Sequence, residues 1–194
     1  DYFCNYQNSY FEEPIDTSKY TSDDLLCCYV ETDPKPIEER LFKSASIFGI
    51  YPIAIGKGEL WEGFTTKLKL YKEFLKTRSE KFVLGTDARD VLYFNSKTEI
   101  LNRFLKYYAR GHKLVYNAET NCFPNKILTD KHPCQVKKYK FLNAGCFIGE
   151  REYFIEILEL CEEYAKKKKV IHKQDDQELI QHIFSDNIKR KDYS

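Results

Sequence analysis

Short apolar runs alternate with stretches of helical period from residue 25 onward. Leu-Leu-Cys-Cys-Tyr-Val at 25–30 is apolar throughout and then turns polar, the pattern of a strand covered on both faces. Pro34 and Pro36 predict a loop or the first turn of a helix running to about Phe48. Residues 51–55 read as a second strand, closed by Gly56 and Gly58. Leu68, Leu70, Tyr71, Phe74 and Leu75 recur at helical spacing over 66–77, with lysines on the other face. A third strand at 82–84 precedes a helix at 98–109, whose apolar stripe is Ile100, Leu101, Phe104, Leu105 and Tyr108. Residues 114–116 continue the sheet up to Glu119, and 141–149 form a further strand. Helices over 151–168 and 176–184 complete the chain. This alternation predicts an α/β domain with a mostly parallel central sheet flanked by helices. Residues 1–22 carry Tyr, Asn, Ser and acids without a sustained period and read as a lead-in or linker, which places the domain at 23–194.

Ligands in such sheets bind beyond the carboxyl ends of strands. Thr32, Asp87, Asp90 and Glu119 all fall at predicted ends of that kind. Two carboxylates three residues apart, where an apolar strand leaves the core, suit a hard divalent cation. Mg²⁺ or Mn²⁺ takes one or two protein carboxylates and fills its other positions with phosphate oxygens and water. The same pair is also what a strand-ending turn contains when Asp caps a backbone N–H, with Arg89 as a partner.

Composition narrows the classes. Aromatics are 15% of the residues, too many for a disordered chain. The formal charge of +1, from 31 Lys and Arg against 30 Asp and Glu, supplies no field for gripping nucleic acid. No apolar run approaches the roughly 18–20 residues of a spanning helix, so no transmembrane segment is expected. Seven Cys leave at least one unpaired, and none shows zinc-ligand spacing. Cys27, Cys28 and Cys146 sit in apolar runs as small hydrophobes, so reduced cysteines are expected; the odd count leans towards a reducing compartment but leaves the compartment open. Without any Met, the chain is expected to be a trimmed product, and a missing leader peptide says nothing of localisation.

Other candidate residues have two readings each. Asp175 to Glu178 resembles a capping box opening a helix, or a helix N-terminus that orients a second carboxylate into a pocket. Asn143-Ala144-Gly145 interrupts an apolar strand, as a bulge or as a place of close substrate approach. Trp61, the only tryptophan, lies in a loop between Gly58 and Gly63, as core or as a stacking surface for a sugar or base. His112, His132, His172 and His182 share no metal-ligand spacing, and Lys166–Lys169 reads as a solvated helix end. No P-loop, G-x-G-x-x-G or Ser-His-Asp order is present.

Taken together, ordered blocks from about residue 28 to 184 resemble the glycosyltransferase domain of procollagen lysyl hydroxylases and related collagen glycosyltransferases. They include Thr32, Ser44-Ala45-x-x-Phe48, Gly58-Glu59-x-Trp61, Lys67-Leu68-Lys69 and Asp87-x-x-Asp90-Val91. Ala118-Glu119-x-x-Cys122-Phe123-Pro124, Phe141-Leu142-Asn143-x-Gly145-x-Phe147-Ile148-Gly149 and Asp175-Asp176-Gln177 follow. The resemblance implies a Rossmann-like GT-A fold and a hexosyltransferase. It would move glucose or galactose from UDP-glucose or UDP-galactose to a hydroxyl, such as (galactosyl)hydroxylysine of a collagen-like protein, in the endoplasmic reticulum lumen. By the same resemblance Asp87 and Asp90 bind Mn²⁺, which holds the UDP-sugar diphosphate. Thr32, Trp61 and Lys67 line the donor pocket, and Glu119, Asn143, Asp175 and Asp176 face the sugar and acceptor. Phe123 stands where the family has Trp. The family's third metal ligand, a His in a later His-x-Asn segment, is expected beyond residue 194, in a missing C-terminal part. A non-catalytic accessory domain of the same fold is the alternative reading. A nucleotide-sugar hydrolase or nucleotidyltransferase using the same metal is a third.

Overall fold

A computed structural model describes residues 15–124, 126, 129, 138–168 and 175–191. Its sheet is built from β1 (Leu25–Val30), β2 (Ile53–Ile55), β3 (Phe82–Thr86), β4 (Leu114–Glu119) and β5 (Phe141–Glu150). The order across the sheet is β2-β1-β3-β5-β4. β1 pairs in parallel with β2 and β3, while β5 runs antiparallel to both β3 and β4. Four strands therefore point one way, and β5 enters from the edge where the others end.

Among the described residues, five α-helices cover the two faces: α1 (Glu39–Ile47), α2 (Phe64–Lys76), α3 (Lys97–Tyr108), α4 (Arg151–Lys168) and α5 (Asp176–Lys191). Side chains alternate across a strand, so β1 sorts its residues between two cores. Leu26 and Cys28 join Val83, Leu142, Phe147 and the inner faces of α2, α4 and α5. Leu25, Cys27 and Tyr29 join Phe82, Leu84 and the inner faces of α1 and α3. This two-sided burial explains why β1 and β3 are apolar at nearly every position.

Local chemistry sets the element ends. A short 3₁₀ turn at Pro36–Glu38 leads into α1, with proline at its start. Ser96 caps α3 by accepting from the Glu99 N–H at 3.2 Å. Gly85 lies under an aromatic stack: a Cβ there would come within 2.2 Å of the Phe147 ring. Phe147 in turn packs on Phe154 and Tyr71, with ring centroids 4.1 and 5.4 Å away.

Some boundaries differ from the sequence pattern. β2 begins at Ile53, because pairing with β1 starts at Cys28↔Ile53 and leaves residues 51 and 52 outside the ladder. α5 continues past Phe184 to Lys191. Residues 1–14 of the lead-in lie outside the described residues. From Ile15 the chain joins the domain: Ile15 N–H bonds the Ala109 carbonyl, and the Tyr20 ring sits 4.8 Å from Phe82. Among the described residues, Cys27, Cys28, Cys122, Cys146 and Cys161 form no disulfide. Burial pushes Cys27 and Cys146 up to about 11 and Cys161 up to about 12. His132 and His172 fall outside the described residues, as does Lys169 of the basic run. His182 stacks on Tyr164 with centroids 5.0 Å apart.

Candidate active site

The carboxyl ends of β1, β3 and β4, the start of β5 and the N-terminus of α5 meet at one edge of the sheet. Asp87 follows the last residue of β3, and its N–H is held by the Gly145 carbonyl at 2.7 Å. That bond carries the β3–β5 register one residue past Thr86↔Cys146, while on its other side β5 leaves β4. Pairing with β4 passes from Tyr116↔Phe147 directly to Asn117↔Asn143, so Ala144, Gly145 and Cys146 have no β4 partner. The interruption at Asn143-Ala144-Gly145 is thus a bulge, and its freed backbone groups are satisfied by side chains. Gly145 N–H donates to Asn143 Oδ1 at 3.0 Å, and Ala144 N–H donates to Gln177 Oε1 at 2.9 Å. Gly145 must stay small: a Cβ would lie 2.8 Å from Asp87 Oδ2 and 3.0 Å from Asn143 Oδ1.

Lys67 of α2 links the strand-end acid to the helix-end acid. Its Nζ lies 2.7 Å from Asp87 Oδ1 and 2.9 Å from Asp176 Oδ2. Lys67 and Asp176 side chains are only 12% and 8% exposed, against 41% for Asp87. Burial opposes the charge on Lys67, but Asp176 and Asp87 together hold its ammonium above the ordinary lysine value. Burial pushes the Asp87 carboxyl up; Lys67 pulls it back, while Asp176 and Asp90 push it further. Asp175 is also pushed up, by burial and by Asp176 beside it. Asp175 caps α5 as well, accepting from the Gln177 N–H at 2.9 Å.

A second cluster centres on Gln177, to which the sequence reading assigned no role. With its amide oxygen taken by Ala144, Gln177 Nε2 donates to Glu119 Oε1 at 2.7 Å and to the Phe123 carbonyl at 2.8 Å. Asn143 Nδ2 reaches the same Glu119 oxygen at 3.5 Å. Glu119 and Asn143 are therefore brought together, as are Lys67, Asp87 and Asp176. Asn143 lines Gly145 beside Asp87, which puts both clusters on one side of the bulge.

The remaining candidates lie around the rim. Thr32 is buried just past β1, and its carbonyl accepts from Gly58 N–H at 3.0 Å. Gly58 has φ +85°, a conformation that favours glycine. Trp61 follows in the same loop and is exposed, so it is not core. Asp90 is exposed as well. Arg89 pairs with neither neighbouring aspartate: it forks onto Glu31, with both N···O distances at 2.8 Å. The local turn reading missed this pairing because Glu31 is 58 residues away.

Could these residues hold a metal? All donors are oxygens, and the glycine leaves space beside Asp87 Oδ2. Among the described residues, no group of three His, Cys, Asp or Glu side chains is placed to bind one. Two carboxylates fit a hard cation that takes its other ligands from phosphate and water. A groove of about 260 Å³ between α2 and α4 is lined by Thr65, Leu68, Lys72, Cys161 and Glu162 among others, and by none of the candidate residues.

The family model for the PLOD GT domain matches residues 21–194. The chain belongs to that family. Its five-stranded sheet with helices on both faces is the Rossmann-like GT-A arrangement. Among relatives of this PLOD GT domain is a multifunctional procollagen lysine hydroxylase and glycosyltransferase of Caenorhabditis elegans. It is 29% identical over 87% of this chain and 24% of its own length. A procollagen-lysine,2-oxoglutarate 5-dioxygenase of Drosophila melanogaster is 30% identical over 90% of this chain and 24% of its own. The human procollagen-lysine,2-oxoglutarate 5-dioxygenase 2 is 28% identical over the same shares. The chain thus spans about a quarter of the length of the curated relatives it matches. A solved structure, the bifunctional IspDF from Campylobacter jejuni, superposes with a TM-score of 0.43 and 16% identity over 70% of this chain and 43% of that one. No described helix is long and apolar enough to cross a membrane.

Proposed function

We propose that this domain transfers glucose or galactose from a UDP-sugar to a hydroxyl on a collagen-like acceptor. The observation that carries the reading is the Lys67 bridge, which ties Asp87 at the strand end to Asp176 at the helix end. It brings a candidate diphosphate-binding edge and a candidate sugar-facing edge into one site. Membership of the PLOD GT domain family and the names of the relatives support the same activity.

Asp87 and Asp90 would hold Mn²⁺, which when bound supplies Lewis-acid stabilisation to the charge on the leaving diphosphate. Lys67 places an ammonium beside Asp87, where it adds positive charge facing that diphosphate. Thr32 and Trp61 border the nucleoside side. Transfer forms a bond between the acceptor oxygen and the anomeric carbon and breaks the bond from that carbon to the diphosphate. UDP leaves with the electron pair, and the acceptor proton must be taken up. Glu119, Asp175 and Asp176 are the carboxylates on that side, and Asp175, pushed up by burial, suits proton uptake. Asn143 and Gln177 orient Glu119. The test is incubation with each UDP-hexose and a hydroxylysine or galactosyl-hydroxylysine peptide. One added hexose on the peptide supports the reading, and UDP release without peptide modification contradicts it.

A second reading, an accessory domain without turnover, draws on the two-carboxylate site and on the lysine already seated on Asp87. Donor binding without transfer would favour it.

A further inference from the structure

The segment from Asp87 to Tyr93 carries both candidate metal carboxylates but forms no strand or helix. Its anchors are few. Asp87 N–H is tied to the Gly145 carbonyl at 2.7 Å. At the other end, Tyr93 N–H is tied to Ser44 Oγ of α1 at 3.0 Å. Between them the Arg89 side chain ties the segment to the turn after β1. Its Nε and Nη2 each lie 2.8 Å from Glu31, and Nη2 reaches the Asp33 carbonyl at 3.4 Å. Glu31 is only 7% exposed, so its carboxylate needs this cation, and Arg89 at 49% exposure still borders solvent.

Glu31 also organises the turn that holds Thr32. Its Oε1 accepts from the Asp33 N–H at 3.1 Å, and its own N–H extends the β1–β2 pairing to the Ile55 carbonyl. The Thr32 carbonyl then accepts from Gly58 in the loop that carries Trp61. One guanidinium therefore joins the turn on the nucleoside side to the loop on the diphosphate side. A planar fork fixes both distance and angle, which a single ammonium would not do.

We propose that Arg89 and Glu31 form a positioning pair that sets the spacing between the Thr32 turn and Asp90, so that the nucleoside and the diphosphate of one donor are met together. The proposal rests on the donor reading above. Arg89 acts through the loop and the turn, and it is not itself assigned contact with the donor.

The experiment uses this domain and three variants: Arg89→Met, Arg89→Lys, and the double Glu31→Gln with Arg89→Met. The double variant removes both charges and keeps a fold-competent comparison if the single variant is lost to the unpaired Glu31. Calorimetry reads Mn²⁺–UDP affinity, and amide hydrogen exchange reads residues 87–92 and 31–33. Arg89→Met and the double variant are expected to bind at least about tenfold more weakly, the scale found for residues that orient metal ligands. Arg89→Lys is expected to fall between them and wild type. At saturating donor, kcat recovers while KM stays raised, because the loss is one of placement and binding. Exchange at 87–92 and 31–33 rises in step. A variant that melts earlier but binds and exchanges like wild type overturns the proposal. If wild type binds no UDP, the donor reading fails, and unchanged exchange in the variants then overturns the positioning pair as well. Raised exchange in that case leaves the pair standing without the donor.

Discussion

Replacing Lys67 by Met keeps the apolar stem and removes the one charge shared by Asp87 and Asp176. The Asp176 side chain is only 8% exposed, so its carboxylate would be left buried beside another. Breaking a buried pair from one side costs about 3–5 kcal/mol. The Asp87 side is partly solvated, and its share falls within the roughly 0–1 kcal/mol of exposed pairs. A loss of about 3 kcal/mol corresponds to a Tm drop of about 6–12 °C in a domain of this length. The pH dependence follows from the same charges. In wild type, Lys67 is held above the ordinary lysine value, so its contribution is complete at neutral pH and is lost only as pH climbs through that raised value. In the variant nothing pulls Asp87 back, so the folded state binds a proton there more tightly than the unfolded chain does. The variant's stability therefore recovers as pH falls, and the gap to wild type is smaller at acid than at neutral pH. Thermal unfolding followed by circular dichroism at both pH values measures this. An unchanged Tm, or a gap that does not vary with pH, would refute the Lys67 bridge.

Other perturbations separate the parts of the site. Gly145→Ala should push the Asp87 carboxylate away from its 2.8 Å contact, weakening Mn²⁺ affinity about 10- to 100-fold while Tm moves little, as read by calorimetry and melting. Gln177→Leu removes two donors and leaves the buried Ala144 N–H unpaired, for a loss of about 1–3 kcal/mol with a larger fall in kcat than in donor affinity. Cys27 and Cys161, buried and pushed up to about 11 and about 12, should resist iodoacetamide at pH 8 in the folded protein and react on unfolding; rapid labelling of the folded state would contradict their burial.

Where burial is two-sided or a helix has a strong stripe, the elements were readable from residue type alone. Leu25–Val30 is apolar on both faces because helices cover both, and Arg151–Lys168 shows its full length in its period. Strand direction is different. The run at 141–149 says that a strand is buried but not which way it points, and its antiparallel course is set by partners on either side. The long tail of α5 has no apolar stripe to announce it beyond Phe184. Within the site, Asp87, Asp90, Glu119 and Thr32 were visible as polar residues at strand ends. What joins them was not: Lys67 to Asp176, Arg89 to Glu31 and Gln177 to Glu119 each span more than fifty residues. Such pairings depend on how elements stack, and spacing along the chain carries no trace of them.

The central claim is that Asp87 and Asp90 place a metal for cleavage of a UDP-sugar. UDP release from UDP-glucose and UDP-galactose, measured with and without Mn²⁺ for wild type, Asp87→Ala and Asp90→Ala, tests it directly. The account predicts release that requires Mn²⁺ in wild type and falls at least about a hundredfold in Asp87→Ala, in line with loss of a group that positions charge for the transition state. Release that is independent of metal and untouched by either substitution would contradict it.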